Sequence, residues 1–562
     1  MRSAQRMFWM LLAPMLPLVA CGEDDDDGGG AGIAGKGGSA GTTSKGGTTS
    51  KGGTGGKGGT AGTAGTSEGG GAGEAVGGGG GVSEAPECDT SAQDNDTALT
   101  TTRDDIGVRE LLVPPTKAVR LAVDPTSGSV LYMDLGGDIY MLNVGDGDTS
   151  TVTQLHEGSL IIATTGMACD EDVLDVVEHS FQGFNIGPDG TLYLVNNCIN
   201  KTTQTGTAFI VRGEAISGVG ATTWSLVAHT EPYPNSNTNF DHRFNGIAVS
   251  PDGADLYLNS GSRTDHGEVQ DVGGLFPDTR EVPLTSAIFR IPSDGDDIFL
   301  ENDDDALADY LFADGTRNSF DPTFAPNGDL ISGENGPDAD YSEEINWLRE
   351  GQHYGFPWRL GTRANAQTDP AYDPTEDLLL QRGAGFQSID TDTTPNGGAG
   401  GGGGAGPVEI ITGFYQNDPA FPESPGGFSD PMVNLGPDYL KERDPSDGTI
   451  IDVEMGNTLT PHLSPLGMMF DYKGELCGEF NGKGLMLMFG AAGGTIGLEP
   501  SLAHLELIKE GDEYTARVTK LVGGFNKAMD AVLVGNKVYI SDYGNWDPPP
   551  GPIYEITLPP AL

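Results

Sequence analysis

The residues best suited to do chemistry are concentrated in one stretch of 44 residues, 315–358. It contains an Arg-Asn pair, Arg317 and Asn318, then a short strand pattern and a polar turn at 335–337. A strand needs alternating apolar side chains, and these polar residues add nothing to a core. They indicate a polar rim where loops leave a sheet, which is where binding and catalytic groups concentrate.

Two histidines, His242 and His462, lie just ahead of other predicted strands. An imidazole with a pKa near neutrality suits a general base. A single histidine before a strand is also commonly a hydrogen-bonded structural residue. Both interpretations stay open for each of them.

The elements that would position these residues form a repeat. The repeated unit has an apolar pair, a turn of the Pro-Asp-Gly type and a short β run with a central Tyr or Leu. Its copies begin at 119, 184, 247, 322, 468 and 531, and the last two match the pattern more weakly. Pro presets φ and Gly accepts positive φ, so such turns are tight. Six copies at long spacing predict an all-β fold, a six-bladed β-propeller of four-stranded antiparallel blades. An irregular all-β sandwich is the alternative, and it accounts less well for one motif in six copies.

The stretch 315–358 resembles the glucose/sorbosone dehydrogenase family, the soluble pyrroloquinoline-quinone (PQQ) sugar dehydrogenases. In that family an Arg-Asn pair precedes a Gly-Pro turn, an acidic-Ile/Leu-Asn triplet and an Asn-Tyr-Gly-Trp-Pro end. The matching residues here are Arg317-Asn318, Gly336-Pro337, Glu344-Ile345-Asn346 and Tyr354-Gly355-Phe356-Pro357. The resemblance covers about residues 118–558.

This resemblance implies a PQQ- and calcium-dependent oxidation of a sugar or a related alcohol or aldehyde. His242 would be the general base, taking the proton of the sugar hydroxyl as hydride passes to the quinone. The cofactor PQQ would be contacted by four residues, Arg317, Asn318, Asn335 and Lys527. The alternative for Arg317 is a structural role, in which it closes a salt bridge between blades.

The resemblance also implies that the main-chain carbonyls of Gly336 and Pro337 hold Ca²⁺, which prefers hard oxygen ligands. Without its neighbouring residues, a plain turn would explain that Gly-Pro pair equally well. Three further residues would line the central funnel of the propeller: Arg263, Glu344 and His462.

The chain departs from the family's pattern in its basic residues. Gly and Ala at 490–494 replace a region with a Lys, and Lys527 stands where the family has two Arg. PQQ carries three carboxylates, so these losses weaken its binding by on the order of several kcal/mol unless Ca²⁺ and Arg317 compensate. A non-catalytic propeller that binds carbohydrate or protein is therefore the main alternative. A metal-dependent lactonase-like propeller is a third, and it needs carboxylates at the funnel centre.

The N-terminal residues predict export and anchoring. Basic residues, an apolar run at 7–19 and a small residue before Cys21 predict a lipoprotein signal peptide at 1–20. The end of this run resembles the bacterial lipobox, in which Cys21 is lipidated, although an ordinary signal peptide is the alternative. The expected location is the bacterial envelope, at the outer membrane or the cell surface.

Composition predicts the remaining domain organisation. Residues 21–94, rich in Gly, Ser and Thr, are expected to be a disordered linker, followed by the propeller at 95–562 with an insertion around 361–460. With 82 acidic and 30 basic residues the net charge is −52, which argues against nucleic acid or anionic lipid head groups as partners. An exported compartment permits disulfides, and the predicted pair is Cys169 with Cys198.

Overall fold

The structure is a computed structural model that describes residues 85–167, 177–214, 221, 223–236, 241–337, 339–373, 376–379, 417–455, 458–490, 499–545 and 548–562. The predicted signal peptide, Cys21, nearly all of the predicted linker and Cys169 lie outside these residues. Within them, no helix is long and apolar enough to cross a membrane.

Six small sheets form the blades of an all-β propeller, which confirms the predicted fold. Blade 1 contains the strands Arg120–Val123, Val130–Met133, Ile139–Asn143 and Thr151–His156. Blade 2 contains Val177–Ile186, Leu192–Asn200, Thr205–Glu214 and Thr223–Thr230, with Tyr233–Pro234 and Ile298–Leu300 added at its edges. Blade 3 contains Phe244–Val249, Asp255–Ser260, Ala287–Pro292 and Leu311–Asp314, with Gln352–His353 added.

The other three blades follow the same antiparallel plan. Blade 4 contains Thr323–Phe324, Leu330–Glu334 and Glu344–Leu348. Blade 5 contains Pro465–Phe470, Gly484–Met488, Ser501–Glu510 and Glu513–Gly523, with Thr100–Thr101 and Val433–Asn434 added. Blade 6 contains Ala528–Val534, Lys537–Asp542, Ile553–Thr557 and Gly107–Leu112.

Short elements lie outside the blades. Two ribbons pair Arg359–Leu360 with Arg363–Ala364 and Lys441–Arg443 with Ile450–Asp452. The helical segments of the described residues are the α-helices Gly158–Thr165 and Asp304–Leu307 and the 3₁₀ turns Gly147–Thr149, Ala366–Thr368 and Gly478–Phe480. The helix Gly158–Thr165 carries no amphipathic pattern that would predict it.

Each repeat found in the sequence is the hairpin between the first and second strands of a blade. In blade 2 the turn at 188–190 joins two strands that pair from Val177 to Asn200, and Gly190 has φ +89°. Gly253 takes the same place in blade 3 with φ +76°. Positive φ at these positions is the reason for the recurring Gly.

The two ends of the propeller are joined in three ways. Strand Gly107–Leu112, which precedes blade 1 in sequence, pairs with Ile553–Thr557 as the outer strand of blade 6. Cys88 forms a bridge with Ala561 and a disulfide with Cys477, 389 residues away. Neither cysteine was predicted to pair. Cys198 is disulfide-bonded, but its predicted partner Cys169 lies outside the described residues.

The predicted insertion covers the edge of blade 4, which has three strands in the described residues. The N–H of Met432 donates to the carbonyl of Ile345 on the outer strand, at 2.8 Å. The following strand, Val433–Asn434, pairs in parallel with the outer strand of blade 5. This segment therefore fastens blade 4 to blade 5.

A buried arginine lies where the blades meet. Arg120, in the first strand of blade 1, is 2% exposed. Its guanidinium donates to the main-chain oxygens of Gln182 in blade 2 and Phe320 before blade 4, both at 2.7 Å, and to that of Asn245 in blade 3. The same guanidinium lies 3.6 Å from the ring centroid of Phe320. One side chain thus contacts four successive blades.

Two carboxylates face this guanidinium, that of Asp530, which is buried, and that of Asp321, which is 20% exposed. Asp321 lies 3.8 Å from Arg120 and accepts the N–H of Met468 in blade 5 at 2.8 Å. Asp530 of blade 6 accepts the N–H of the residue after Arg120 at 2.8 Å. Burial raises the pKa of both carboxyls, and with the charge of Asp321 it brings the pKa of Asp530 to about 7 in spite of Arg120. We call Arg120, Asp321 and Asp530 the central hub.

Replacing the hub arginine is expected to destabilise the whole propeller. Arg120→Met leaves the buried carboxylate of Asp530, the partly exposed carboxylate of Asp321 and three carbonyls without their cation, and breaking a buried pair in this way costs about 3–5 kcal/mol. Denaturant unfolding followed by circular dichroism measures the change. Arg290→Met, which removes the more exposed pair with Glu350, is the control and should cost about 0–1 kcal/mol. Equal losses in the two variants would show that the hub does not hold the blades.

Candidate functional site

Most of the predicted site residues lie at one end of the propeller. His242, Arg317 and His462 each lie a few residues before the first strand of a blade, in blades 3, 4 and 5. Asn335 and Gly336 directly follow the second strand of blade 4. First and second strands are antiparallel, so the start of one and the end of the other lie at the same edge of the sheet.

Hydrogen bonds tie these loops to one another. The N–H of His242 donates to the carbonyl of Ser262 at 2.9 Å, and the N–H of Ser262 donates to that of Arg317 at 2.6 Å. Arg317 in turn donates through Nη1 to the carbonyl of Asn335 at 2.9 Å. Ser464 of blade 5 donates its hydroxyl to Asn335 Oδ1 at 3.1 Å. The structure therefore brings the loops of blades 3, 4 and 5 together.

The hydrogen bonds of Ser262 fix the tautomer of His242. The hydroxyl of Ser262 donates to the carbonyl of Thr264 at 2.8 Å, so its oxygen is left to accept. His242 Nδ1 lies 3.3 Å from that oxygen and must carry the proton when the ring is neutral. The lone pair is then on Nε2, the atom that a general base uses. His242 is 4% exposed, so the ring is held in this orientation by packing as well.

Two buried asparagines, Asn245 and Asn259, position Asn318. Asn245 donates to Asn318 Oδ1 at 2.7 Å and to the carbonyl of His242 at 3.2 Å. Asn259 donates to Asn245 Oδ1 at 2.7 Å, and all three residues are at most 3% exposed. The network links the predicted base to a predicted cofactor contact. Asn259 was not predicted as a site residue, because it lies within an apolar strand. An amide side chain in such a strand is the signal that could have indicated a buried hydrogen-bond network.

Arg317 forms a buried ion pair. Its Nη2 lies 2.8 Å from Asp265 Oδ1, and its Nε donates to the carbonyl of the same residue at 2.8 Å. The side chains of the two residues are 2% and 4% exposed. Asp265 also accepts from His266 Nδ1 at 2.9 Å. The charge of Arg317 is therefore offset inside the protein, and Asp265 is a site residue that sequence reasoning missed.

Arg263 and Lys527 are placed differently. Arg263 is 0% exposed, and burial lowers its pKa. Its guanidinium donates to five main-chain carbonyls, those of Pro234, Asn235, Gln270, Thr279 and Arg280. This pattern closes the loop between the second and third strands of blade 3 and ties it to the residues that precede the blade. Lys527 precedes the first strand of blade 6, and its main chain bonds to Asp542 and Tyr543. The roles predicted for both residues stay predictions.

Buried carboxylates surround the turn at Gly336 and Pro337, both of which are buried. Glu343 accepts the N–H groups of Gly336 and Ser464, and burial raises its pKa. Among the residues that the structure describes, no three His, Cys, Asp or Glu side chains are grouped to hold a metal ion. The predicted calcium ligands are main-chain carbonyls, and their role stays a prediction.

Glu344, predicted to line the funnel, lies opposite Glu334 on the neighbouring strand. Burial and the charge of Glu334 raise its pKa well above the usual value. Burial likewise raises the pKa of Glu334 to about 7. Both carboxylates favour a proton or a nearby cation at neutral pH.

His462 belongs to a second buried charge cluster. Its Nε2 lies 2.8 Å from Asp340 Oδ1, and Arg443 lies 2.5 Å from the other carboxylate oxygen. Burial raises the pKa of Asp340, but the hydrogen bond from His462 and the charges of His462 and Arg443 bring it below its usual value. The ionised carboxylate fixes the orientation of the imidazole. Asp340 and Arg443 were missed because they lie 122 and 19 residues from His462.

The chain was compared with known proteins. The family described as Glucose / Sorbosone dehydrogenase matches residues 140–377. No curated protein matches the chain. Similar solved structures include the apo-form of the soluble aldose sugar dehydrogenase of Escherichia coli, with 14% identity over 80% of this chain and 99% of that chain and a TM-score of 0.43.

Two further structures are similar to the same extent. The PQQ-bound aldose sugar dehydrogenase of Streptomyces coelicolor has 16% identity over 82% of this chain and 99% of that chain, with a TM-score of 0.41. A structure named glucose dehydrogenase has 12% identity over 81% and 99%, with a TM-score of 0.45. The sequence match covers blades 2 to 4 and the loops of His242, Arg317 and Asn335. Residues 140–377 are therefore similar to the family described as Glucose / Sorbosone dehydrogenase.

Proposed function

We propose that this propeller oxidises an aldose- or sorbosone-type sugar, or a related alcohol or aldehyde, with His242 as general base and PQQ as electron acceptor. The observation that carries the proposal is the tautomer of His242, because the hydroxyl of Ser262 leaves the lone pair on Nε2. The hydrogen-bonded loops of blades 3 to 5 hold this base beside the other predicted site residues.

The proposed reaction transfers a proton and a hydride from the substrate to different acceptors. His242 Nε2 takes the proton of the substrate hydroxyl, while a hydride leaves the carbon that bears it. PQQ, when bound, supplies the two-electron acceptor for that hydride. The Nδ1–H bond to Ser262 holds the ring in place as the imidazolium forms. Burial of His242 keeps bulk water from competing for the proton.

The polar residues fit PQQ only if a divalent cation accompanies it. Asn318 and Asn335 are rigid and fully buried, so they can hold polar atoms of a ligand in one orientation. Arg317 adds little net charge, because Asp265 offsets it. Ca²⁺ on the carbonyls of Gly336 and Pro337 would supply charge against the quinone carboxylates, and carbonyl oxygens suit that ion.

A carbohydrate- or protein-binding propeller without turnover is the second candidate. The offset charge of Arg317 favours it, since a trianionic quinone needs more free cations than this end of the propeller supplies. Calorimetric titration of the purified protein with PQQ and Ca²⁺ separates the two, because only the dehydrogenase binds the quinone stoichiometrically.

Removing the base should lower turnover strongly and leave cofactor binding largely intact. His242→Ala is expected to lower kcat with a dye acceptor by about 10²–10⁴, the usual contribution of a positioned base. PQQ affinity, measured by calorimetry, should change little. The control is His229→Ala, a histidine of blade 2 paired with Asp297. Full turnover in His242→Ala would refute the assignment.

The ion pair of Arg317 and Asp265 should set the affinity for PQQ. Arg317→Ala removes a charge-assisted fork and should weaken PQQ binding by about tenfold or more. Asp265→Asn leaves Arg317 unopposed and should strengthen binding by a similar factor, although the apo variant should melt at a lower temperature. The melting-temperature increase on adding PQQ is the second readout. Unchanged affinity in both variants would mean that the quinone does not contact this pair.

We also propose that Cys21 carries a lipid that anchors the protein to the bacterial envelope, on the support of the lipobox-like residues before it. Cys21→Ser is expected to move the protein from the membrane fraction to the soluble fraction in cell fractionation, because it removes the thiol to which the lipid is attached through a thioether. Ser39→Ala, in the predicted linker, is the control. A Cys21→Ser variant that resists a high-salt wash of the membranes would contradict the proposal.

A further inference from the structure

A cleft opens between the segments 358–370 and 417–428, with a volume of about 880 Å³. We call it the insertion cleft. Its lining combines aromatic rings with hydrogen-bonding groups, including Trp358, Thr362, Asn417, Phe421, Glu423 and Phe428. Small-molecule sites commonly have volumes of about 300–1,000 Å³.

We infer that the insertion cleft binds a neutral saccharide chain. This goes beyond the proposed function, because it requires neither His242 nor a cofactor. The family match ends at residue 377, and one wall of the cleft, 417–428, lies beyond it.

Trp358 and Phe428 present partly exposed ring surfaces on which a sugar ring can pack, although the guanidinium of Arg359 lies 5.5 Å from the ring centroid of Phe428 and that of Arg280 lies 4.8 Å from that of Phe421. Trp358 and Phe428 are nearly parallel, with an interplanar angle of 20° and centroids 6.4 Å apart, and both are partly exposed. The faces of aromatic rings are electronegative, whereas the axial C–H groups of a pyranose form an apolar, weakly positive face. Successive rings in one cleft suit an extended chain better than a single sugar.

The walls of the cleft are held in place before any ligand arrives. Trp358 Nε1 donates to the carbonyl of Pro422 at 2.8 Å, which joins the two walls. Asn417 donates to the carbonyl of Gln367 at 3.0 Å. Arg359 is paired with Asp430 at 2.6 Å. Rings that are already ordered lose little conformational entropy on binding.

Charge selects against acidic ligands. Glu423 and Asp418 line the cleft, and Arg280 and Arg359, the arginines beside it, are already paired with Asp418 and Asp430. The chain as a whole carries −52, which repels anions. A carboxylate such as Glu423 accepts hydrogen bonds from sugar hydroxyls without a charged partner. The expected ligand is therefore rich in hydroxyl groups and uncharged.

The floor of the cleft adjoins the loop that holds Asp265. A Cβ on Gly267 would come within 2.5 Å of Pro357 and 3.0 Å of Phe421, so this loop packs directly beneath the cleft. Arg280 bridges the same loop and the far wall, through the carbonyl of Gly267 and the carboxylate of Asp418. The cleft and the candidate site thus share a loop.

The test is isothermal titration calorimetry of the full-length mature protein without added cofactor. The probes are cellohexaose, maltohexaose, xylohexaose, chitohexaose, hexagalacturonate and a proline-rich decapeptide. At least one neutral hexasaccharide is expected to bind with a Kd below about 1 mM. Hexagalacturonate should bind at least tenfold more weakly than that saccharide, a comparison that requires no variant.

Variants locate the binding. Trp358→Ala and Phe428→Ala should each weaken binding at least tenfold, whereas Phe299→Ala, an exposed phenylalanine on blade 2, should not. Binding of no neutral saccharide at 5 mM, binding of only the peptide, or binding that both variants leave intact would overturn the inference. If the protein oxidises a sugar but its cleft binds no saccharide, the proposed function holds and this inference is wrong. If the cleft binds a saccharide but the protein does not bind PQQ, this inference holds and the proposed function is wrong.

Discussion

The guanidinium of Arg120 lies at the centre of six sheets that are distant in sequence, and their arrangement depends on it. Carbonyls from several blades converge there, so an apolar side chain would leave them without donors. Arginine has five donors in a rigid fork and keeps its charge when buried. Asp321 and Asp530 balance that charge. Because all three charged groups lose most of their contact with water, the hub determines how the blades are arranged more than it increases the free energy of unfolding.

Buried charges are paired in the same way at the candidate site. Arg317 is paired with Asp265, and His462 and Arg443 share Asp340, so the buried cations are matched by carboxylates. The consequence is a rigid set of loops with little free positive charge. The base proposed at His242 suits these surroundings, whereas the acidic cofactor proposed here would need an accompanying cation.

The sequence predicted those features that depend on local chemistry. The Pro-Asp-Gly turns were recognisable because Gly190 and its equivalents must adopt positive φ, and six of them predicted six blades. The position of His242 and Arg317 before first strands followed from the same pattern. The partners of buried charges did not follow, since nothing near Arg120 in sequence indicates Asp321 or Asp530. The disulfide of Cys88 spans 389 residues and was missed for the same reason.

Residues 417–455 show how an irregular segment can complete a repeating fold. The outer strand of blade 4 would expose unpaired main-chain groups, which favour association with other chains. Met432 pairs with Ile345 at 2.8 Å, and Leu435 pairs with Ala516 of blade 5 at 2.8 Å, so one extended stretch occupies the place of a fourth strand. Since only a few residues are needed to cover this edge, the residues before them do not have to pair with blade 4. Their aromatic side chains can therefore form the wall of a cleft without weakening the propeller.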